Sequence, residues 1–497
     1  MFDEMFNQAP DHVRPPYAAV KRWLDAVDGA ALCARQREAE SVFRRLGISF
    51  AVHGPGAAED HEQPVPFDVL PRVFSAQEWR PLEDGLKQRA RAINAFLADA
   101  YGEQEIVAAG VLPSEVITGC RAWRPQLRGV WAPGGAHAHV VAIDVARLDE
   151  SRFVVVEDNC RIPSGVSYML EDRETMTQLF PDLIHRSGAR RIDDYPRRLH
   201  DLLADCRPAH ASDRESVTVV LTPGAGNSAY YEHFYLADQM GVELVEGADL
   251  HVEGGQVWVR TTAGPQAVDV IYRRIGDDYL DPLAGKRDSL IGVPGLMQAY
   301  REGRVSIVNA PGCGLADDKS VFPFVPEMIR FYLGEEPLLE SAATWRCSEP
   351  DALAYVLDHL AELVIKPVDG AGAEGVVVGP QADELLLDTV GSRLRAAPAA
   401  YIAQETLPLS RCPRLLAPVR NEAHETDADI ALPLGGKPDE QPQFESRHVD
   451  FRGYVLCSSS TIDVLPGGLT RVAQDDRSLI VNTRTGGGVK DTWVLRE

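Results

Sequence analysis

Acidic and amide side chains end two apolar runs of the sequence, and their spacing fits a metal site. Asp144 ends one run, and Glu157 and Asn159 end the next, which begins at Phe153. Because side chains alternate along a strand, Glu157 and Asn159 share a face from which Asp158 turns away. Paired strands would bring their oxygens close to Asp144, and such ligands suit Mg²⁺. The alternative is an acidic strand end that only caps a turn.

An arginine and a turn follow this possible metal site. Arg161 lies just beyond it, and Pro163-Ser164-Gly165 is typical of a turn that presents backbone N–H groups. A cation, a guanidinium and turn amides could together hold a polyphosphate.

Two lysines, a Gly-rich segment and an arginine in the second half of the chain also suit phosphate. Lys319 stands at a predicted helix start, and Lys366 ends the apolar strand LVIK, just before the Gly-rich residues 369–375. Ammonium groups attract phosphates, and glycines let the backbone approach them closely. A Gly-rich turn after a strand is also the ordinary pattern of a hairpin. The strand HVDFRGYVL places Asp450 and Arg452 on one face, where Arg452 could meet phosphate oxygens.

Longer segments occur in the order VEDNCRIPSGVSYMLEDR, LTPGAGNSAYYEHFYLADQMGVELVEG, ADDKSVFPFVPEMIRFYLGEEP, PGGLTRVA and GGGVKDTWVL. Together they resemble the circularly permuted ATP-grasp proteins of type 2, relatives of glutathionylspermidine synthetase, from FDEMF at residue 2 to nearly the last residue. The resemblance implies an α/β fold, a circularly permuted ATP-grasp with a Rossmann-like pre-ATP-grasp domain and an N-terminal helical region. It also implies ATP and Mg²⁺ as cofactors.

The resemblance implies roles for single residues in all parts of the chain. Mg²⁺ is expected at Asp144, Glu157 and Asn159, and catalytic roles are expected for Arg161, Arg452 and Arg471. Nucleotide binding is expected at Lys319, Lys366, Gly370, Gly372, Gly375, Gln404, Glu405, Asn482 and Lys490. Substrate binding is expected at Ser164, Asn227, Ser228, Tyr230, Glu232, His233, Arg273 and Arg274. Two alternatives stay open, because His233 could equally be satisfied within its own helix and the arginine pair could belong to a solvated charge cluster.

The elements that must position these residues divide the chain into four expected parts. They are an N-terminal helical region (1–119), a segment with the metal ligands (120–215), a Rossmann-like domain (216–310) and a nucleotide-binding region (311–497). Helices are predicted over 17–47 and 75–101, the second opened by a capping box at Ser75 and Glu78, and a strand-turn-helix-strand unit begins at 217. The strand YIAQETL at 401–407 is expected to meet adenine. Surface salt bridges are predicted for Arg14, Arg72 and Arg89, and the alternative is that they face the site. The acidic stretch 420–444 is predicted to be an exposed insertion.

Composition bounds the partners and the compartment. The chain has 497 residues and a formal net charge of -24, which argues against binding to nucleic acid or to an anionic membrane. Its eight cysteines are scattered without a C-x-x-C pair, so reduced thiols are expected. The N-terminal residues lack the pattern of a signal peptide, and no apolar run approaches the length of a membrane span. A soluble, cytoplasmic protein is therefore expected.

Three functions remain open from the sequence. The first is an ATP-dependent ligase that joins a small-molecule or peptide carboxylate to an amine through an acyl-phosphate. The second is a nucleotide-binding or scaffold protein without ligase activity, because GAGAEGV at 370–376 and NTRTGGG at 482–488 depart from the family's loops. The third is a kinase that stops at phosphoryl transfer.

Overall fold

The structure is a computed structural model. It describes residues 2–6, 12–51, 62–211, 215–369, 375–416, 442–481 and 486–497. The predicted roles of Gly370, Gly372 and Asn482, and the predicted insertion at 420–444 except for its last three residues, lie outside the described residues.

The described chain contains both strands and helices along its whole length. The strands are β1 Ser49–Ala51, β2 Glu62–Pro64, β3 Phe67–Phe74, β4 Val140–Arg147, β5 Phe153–Asn159, β6 Thr218–Leu221, β7 Glu243–Val245, β8 Leu250–Glu253, β9 Gln256–Thr261, β10 Gly264–Ala267, β11 Val270–Arg273, β12 Ser306–Val308, β13 Glu340–Ser341, β14 Thr344–Arg346, β15 Leu363–Pro367, β16 Val377–Val378, β17 Tyr401–Glu405, β18 Arg411–Leu416, β19 Gln443–Cys457, β20 Ile462–Val464, β21 Leu469–Val472 and β22 Gly488–Val494. The α-helices are α1 Ala18–Ala26, α2 Gly29–Arg45, α3 Ala76–Ala100, α4 Glu105–Ala108, α5 Ser114–Thr118, α6 Val166–Leu179, α7 Pro181–Ser187, α8 Tyr195–Asp205, α9 Tyr230–Met240, α10 Leu296–Arg301, α11 Val325–Met328, α12 Pro350–Asp358 and α13 Glu384–Ala396.

The largest sheet collects the residues that the sequence singled out first. Its order is β13-β5-β4-β19-β21-β22-β3, and β18 and β20 also pair with β19. β4 and β5 are antiparallel, and Asp144 lies directly opposite Glu157, as predicted. On the other side of β4, Arg452 lies opposite Asp144, and Arg471 lies opposite Asp450 one strand further on. Neighbouring strands therefore carry the acids and arginines to one region.

The N-terminal part of the chain supports this sheet with both helices and a strand. Helix α3 begins with the predicted capping box of Ser75 and Glu78 and packs against the sheet. The predicted helix 17–47 is two helices, because Val27 is extended and Asp28 caps α2 by accepting from the backbone N–H of Ala31. Strand β3 pairs in parallel with β22, so residues 1–119 contribute a strand to the largest sheet.

Two smaller sheets flank the largest one. A parallel sheet of order β12-β11-β6-β7 contains the predicted strand-turn-helix-strand unit as β6, α9 and β7. The second, of order β14-β17-β15-β16, packs with α12 and α13 around its own apolar core. The Gln404 amide of β17 donates to the backbone carbonyl of Val156 in β5 at 3.3 Å and so ties this small sheet to the largest one.

Two further features of the described residues are the state of the cysteines and the lengths of the helices. All eight cysteines lie in the described ranges, where they are buried and none of them forms a disulfide. Burial raises the pKa of Cys412 and of Cys457 to about 12, so these thiols pack as protonated, apolar groups. No described helix is both long enough and apolar enough to cross a membrane.

Candidate functional site

An apolar slot of about 170 Å³ lies between the small sheet β14-β17-β15-β16 and the largest sheet. One end of the slot is charged. A slot of this kind fits a flat, largely apolar group that carries a charged tail. The apolar lining consists of Ala146, Val156, Val364, Val376, Val378, Leu407, Leu409, Leu479, Ile480 and Val481, and the charged end consists of Asp144, Glu157, Lys366, Asp450, Arg452 and Arg471.

A polar cavity of about 500 Å³ adjoins the slot. It shares Glu157, Arg452 and Arg471 with the slot, so a ligand that extended through both spaces would pass these three side chains. Its other charged lining residues are Arg121, Arg124, Asp158, Arg161, Asp277, Asp278, Asp317, Asp318, Lys319 and Asp369.

The junction holds a group of acids and bases that we call the cavity cluster, made of Asp144, Glu157, Lys319, Lys366, Asp450, Arg452 and Arg471. Arg452 grips Asp144 through two hydrogen bonds of 2.6 and 2.7 Å, and Arg471 donates to the same carboxylate at 3.0 Å. Arg471 also pairs with Asp450. Two carboxylates thus balance two guanidinium groups. Burial disfavours the Asp144 carboxylate, but the charges of Arg452 and then Arg471 outweigh burial and lower its pKa to about 2.

The two lysines of the cavity cluster also lie at the junction. Lys319 Nζ lies 3.1 Å from Glu157 Oε1, and Lys366 Nζ donates to the side-chain oxygen of Gln404. Burial lowers the pKa of Lys366, and the charge of Glu157 opposes that shift. Lys319 lies in a turn ahead of α11, so the expectation that it starts a helix is wrong. The structure brings both predicted lysines beside the predicted metal ligand Glu157.

Two predicted nucleotide-binding residues of β17 line the slot. The Gln404 side chain accepts from Lys366 and donates to Thr344 Oγ1 at 3.1 Å, which fixes its orientation. Glu405 accepts from the backbone N–H of Ala343 at 2.8 Å. Both side chains therefore have protein partners in this structure.

Glu157 and Asn159 offer the donor set that Mg²⁺ prefers. The side-chain nitrogen of Asn159 is buried and has no hydrogen-bond partner among the described residues, so this amide is not committed to the protein. Oxygen and nitrogen of an amide exchange places by a simple flip. Asp144, in contrast, has both oxygens on arginines. No group of three or more His, Cys, Asp and Glu in the described ranges could hold a metal ion, so a site here would depend on Asn159.

Although Asp158 is among the residues that line the polar cavity, its carboxylate turns away from the junction, as predicted. It pairs with Arg89 of α3 through contacts of 2.6 and 2.7 Å, and both side chains are buried. Arg72 is buried against Glu4, and Arg14 is also buried. The expectation that Arg14, Arg72 and Arg89 form surface salt bridges is wrong, because all three side chains are buried and pair with acids from distant parts of the chain. The partner of Arg14 is the partly exposed Glu78.

The turn after the predicted metal ligands is anchored by Glu232. The backbone N–H of Gly165 donates to Glu232 at 2.7 Å, and Glu232 also pairs with Arg274 at 2.7 Å. The expectation that the Gly165 amide is presented to a phosphate is therefore wrong. The Ser164 carbonyl accepts from Arg452 at 3.2 Å, which places the predicted residue Ser164 at the cavity wall.

Arg161 faces the polar cavity. Its side chain is 40% exposed, and its Nε lies 3.5 Å from the Asp317 carboxylate. Its terminal nitrogens have no hydrogen-bond partner within the described part of the chain. The structure therefore places Arg161 in one cavity with Lys319, Arg452 and Arg471.

The paired arginines after β11 do not reach either space. Arg273 is buried and donates to the backbone carbonyls of Asn309 at 2.6 Å and Ile275 at 3.0 Å. Arg274 donates to the carbonyl of Pro163 at 2.7 Å. Glu232 is likewise buried, against Arg274. Apart from Arg274 Nε, which is buried without a partner among the described residues, the side-chain nitrogens of both arginines donate inside the fold, so neither is available to a substrate carboxylate in this arrangement.

His233 is satisfied within the fold, the alternative that the sequence left open. It is buried, its Nδ1 lies 2.9 Å from Thr222 Oγ1, and burial lowers its pKa to about 2. Asn227, Ser228 and Tyr230 lie near the edge of the parallel sheet and line neither the slot nor the cavity.

Two further predicted residues of the nucleotide site lie apart from the cavity cluster. Lys490 is buried, 2.8 Å from Asp68 and 2.7 Å from the carbonyl of Pro413, and lines neither space. Gly375 has φ +70, which favours glycine, and its neighbour Val376 lines the slot.

Sequence reasoning missed residues that shape the site. Asp317 lines the cavity, and the only signal for it is its place two positions before Lys319. Asn309 accepts from the backbone N–H groups of His139 and Val140, each at 2.8 Å, and donates to the carbonyl of Cys160. It thereby joins the parallel sheet to β4 and to the end of β5. No local pattern marks an asparagine for such a role.

Comparisons with known proteins bear on this arrangement. Residues 71–473 match the family model described as circularly permuted ATP-grasp type 2. An uncharacterised protein of Synechocystis sp. is 43% identical over 495 residues, which is 100% of this chain and 97% of that protein. An uncharacterised protein of Mycobacterium tuberculosis is 43% identical over 494 residues, which is 99% of this chain and 84% of that protein.

A relative with a functional name and a solved structure are also similar to this chain. A protein of Frankia casuarinae named "Putative glutamate--cysteine ligase 2-2" is 39% identical, and the match covers 100% of this chain and 54% of that longer protein. The apo structure of a glutathione synthetase-like effector from Globodera pallida has a TM-score of 0.56 at 11% identity, covering 94% of this chain and 98% of that one. At this identity the likeness establishes the fold alone.

Proposed function

The chain belongs to the circularly permuted ATP-grasp type 2 family, and from that premise we propose that it is an ATP- and Mg²⁺-dependent ligase that joins a carboxylate to an amine. The observation that carries the proposal is the junction itself. An apolar slot and a polar cavity meet at Glu157, Arg452 and Arg471, so a ligand bound in the slot can reach reactants bound in the cavity.

The slot has the properties needed for the nucleotide. Its aliphatic walls, among them Val156, Val364 and Leu407, suit the two faces of adenine. The phosphates would then extend to the charged end. There Lys366 and Lys319 supply ammonium groups and Arg452 a guanidinium, which neutralise phosphate oxygens by charge and position.

Mg²⁺ would be held by Glu157 and Asn159, and when bound it would neutralise phosphate charge. The protein groups prepare for that exchange. Lys319 pairs with Glu157, and Arg452 and Arg471 pair with Asp144. Each cationic side chain is therefore held beside the place where phosphate would bind. When these cations exchange a carboxylate partner for a phosphate, each keeps a negatively charged partner.

The polar cavity would take the acid and the amine. In the first step a substrate carboxylate oxygen forms a bond to the γ-phosphorus, and the bond to the β-phosphate oxygen breaks and releases ADP. In the second step the amine attacks the acyl carbon of that acyl-phosphate, inorganic phosphate leaves with the bonding electron pair, and a proton leaves the nitrogen. Arg161, Arg452 and Arg471 would neutralise the developing charge. The name of the Frankia relative supports ligation of this kind.

Release of ADP and phosphate tests the proposal. We would supply MgATP with each amino acid as the acid, with and without cysteine or a second amino acid as the amine, beginning with glutamate and cysteine. The ligase predicts release that requires both partners, together with an amide product by mass spectrometry. Nucleotide binding without release would indicate the binding protein, and a stable phosphorylated acid without an amine would indicate the kinase. The Glu157→Gln variant is the control for contaminating ATPases.

A further inference from the structure

A short segment, residues 313–319, touches the end of β5 at several points. The carboxylate of Asp317 accepts from the backbone N–H groups of Cys160 and of Arg161, the latter at 3.0 Å. These residues directly follow the metal-ligand pair. Cys313 Sγ donates to the carbonyl of Cys160 at 3.3 Å, so Cys160 is held at both its N–H and its C=O.

The same segment also holds the side chain of Arg161. Arg161 Nε lies 3.5 Å from Asp317 Oδ2. Gly314 packs against the stem of that arginine, because a Cβ at this position would lie 3.0 Å from Arg161 Cδ. The backbone, the guanidinium and the aliphatic stem of Arg161 therefore all contact one segment.

Two residues beyond Asp317, the segment reaches the phosphate side of the junction. Lys319 Nζ lies 3.1 Å from Glu157, and the backbone N–H of Lys319 donates to the carbonyl of Val368 at 3.4 Å. Val368 follows Lys366 closely in sequence. Asp317 and Lys319 thus form two cross-links between this segment and residues 157–161.

We propose that Asp317 is a positioning residue, which holds the strand end carrying Glu157 and Asn159 in register with Lys319 and aims Arg161 into the polar cavity. A carboxylate suits this task, because it accepts two N–H groups and faces a guanidinium at once. Burial raises the pKa of Asp317 to about 6, whereas the charge of Arg161 and the two backbone N–H donors favour the carboxylate. The inference rests on the proposed function and adds to it a residue that acts through Arg161 and the end of β5.

Asp317→Asn tests the proposal, with Asp318→Asn as the matched control. Asparagine keeps the shape of aspartate, but its NH₂ group would face an N–H or the arginine. The control removes one charge from the adjacent cavity-lining residue, whose carboxylate accepts the local N–H of Ser320 at 2.8 Å and interacts with the Cys120 thiol.

Two measurements on the whole chain decide the matter. The first is hydrogen exchange at the amides of Cys160 and Arg161, which we expect to quicken at least tenfold in Asp317→Asn and to stay within twofold in Asp318→Asn. The second is calorimetric titration with ADP, with and without Mg²⁺. We expect the gain in ADP affinity due to Mg²⁺ to fall at least tenfold in Asp317→Asn, while ADP affinity without Mg²⁺ stays within twofold.

The contrary results are distinct. If exchange quickens but the Mg²⁺ effect is that of the control, Asp317 has only a structural role and the proposal is wrong. It is also wrong if exchange does not quicken. If the wild-type chain shows no Mg²⁺-dependent binding of ADP, the proposed function fails first and this inference fails with it. Should Asp317→Asn not fold, Gly314→Ala and Asp317→Glu serve with the same criteria, since each displaces Arg161 while keeping the charge at 317.

Discussion

This molecule contains two buried groups of carboxylate–arginine pairs, and we assign them different roles. The first is the cavity cluster. The second, which we call the anchor cluster, consists of Glu4, Arg72, Arg147 and Ser410, all fully buried. Glu4 pairs with Arg72 on one oxygen and with Arg147 at 3.0 Å on the other, and Ser410 Oγ donates to it at 2.6 Å.

One carboxyl group in each cluster has a lowered pKa, but only the cavity cluster lines an open space. Burial alone would raise the pKa of Glu4, yet Arg72 and Arg147 outweigh burial and lower it to about 2, the same value as for Asp144. The anchor cluster lines neither cavity, whereas the cavity cluster opens on both. An ion pair beside an open space can exchange its partner for a ligand, and an enclosed one can only hold the fold. Access therefore decides between the two roles here.

The largest contrast is expected in stability. Arg72→Met leaves Glu4 with one of its two arginines in a closed interior, and we expect a loss of about 3 to 5 kcal/mol in the free energy of unfolding. Arg471→Met is the matched change in the cavity cluster, where water can reach the freed carboxylate of Asp450, so about half that loss or less is expected. Urea unfolding followed by fluorescence measures both. Equal losses would break the comparison.

The next largest effect is expected in the pH dependence of stability, to which the anchor cluster contributes. The pKa of Glu4 is about 2 in the folded chain and near 4.5 when unfolded, so its contribution is complete above pH 4.5 and is lost as pH falls towards 2. The full contribution is about 3 kcal/mol. Between pH 6 and pH 3 the wild type should therefore lose more stability than Glu4→Gln does. Parallel curves of unfolding free energy against pH would contradict this assignment.

Neighbouring residues of β5 sharpen the contrast between function and fold. Glu157→Gln should lower Mg²⁺-dependent turnover about 100-fold, roughly 2.7 kcal/mol in the barrier, and leave stability nearly unchanged, because it removes a ligand charge at constant volume. Asp158→Asn, which breaks the buried pair with Arg89, should cost stability instead, with an effect on turnover at least tenfold smaller. Similar behaviour of the two variants would show that the assignment of the two faces is wrong.

The smallest effect is expected at the phosphate end of the slot. Lys366→Met should weaken binding of ATP about tenfold, roughly 1.4 kcal/mol, since one of several positive charges is lost. Lys87→Met is the control, because Lys87 pairs with Glu83 on α3 and lines neither cavity. Calorimetric titration would measure both affinities. An unchanged dissociation constant for Lys366→Met would remove this lysine from the proposed site.

How much the sequence could predict depends on the range of the contacts. Alternation along β5 and β19 placed Glu157 and Asp158 on opposite faces and grouped Asp450 with Arg452, because these relations lie within single strands. The anchor cluster could not be found in this way. Ser410 meets Glu4 across 406 positions of the chain, and nothing near either residue marks the other.

The misplaced predictions have a common physical reason. The Arg273-Arg274 pair was expected to meet a substrate, but a buried guanidinium needs acceptors, and the carbonyls of Ile275 and Pro163 supply them from the surrounding loops. Charge at a strand end indicates that some partner is present. It does not tell whether that partner is a ligand or the chain itself.

The most direct test of this account is a crystal structure with Mg²⁺ and a non-hydrolysable ATP analogue. We predict that adenine lies in the slot between Val156 and Leu407, that Glu157 and Asn159 hold the metal, and that Lys319 has left Glu157 for a phosphate. The anchor cluster should be unchanged. Nucleotide bound elsewhere, or a bound nucleotide with the Lys319 to Glu157 pair intact and no metal on Glu157, would contradict the account.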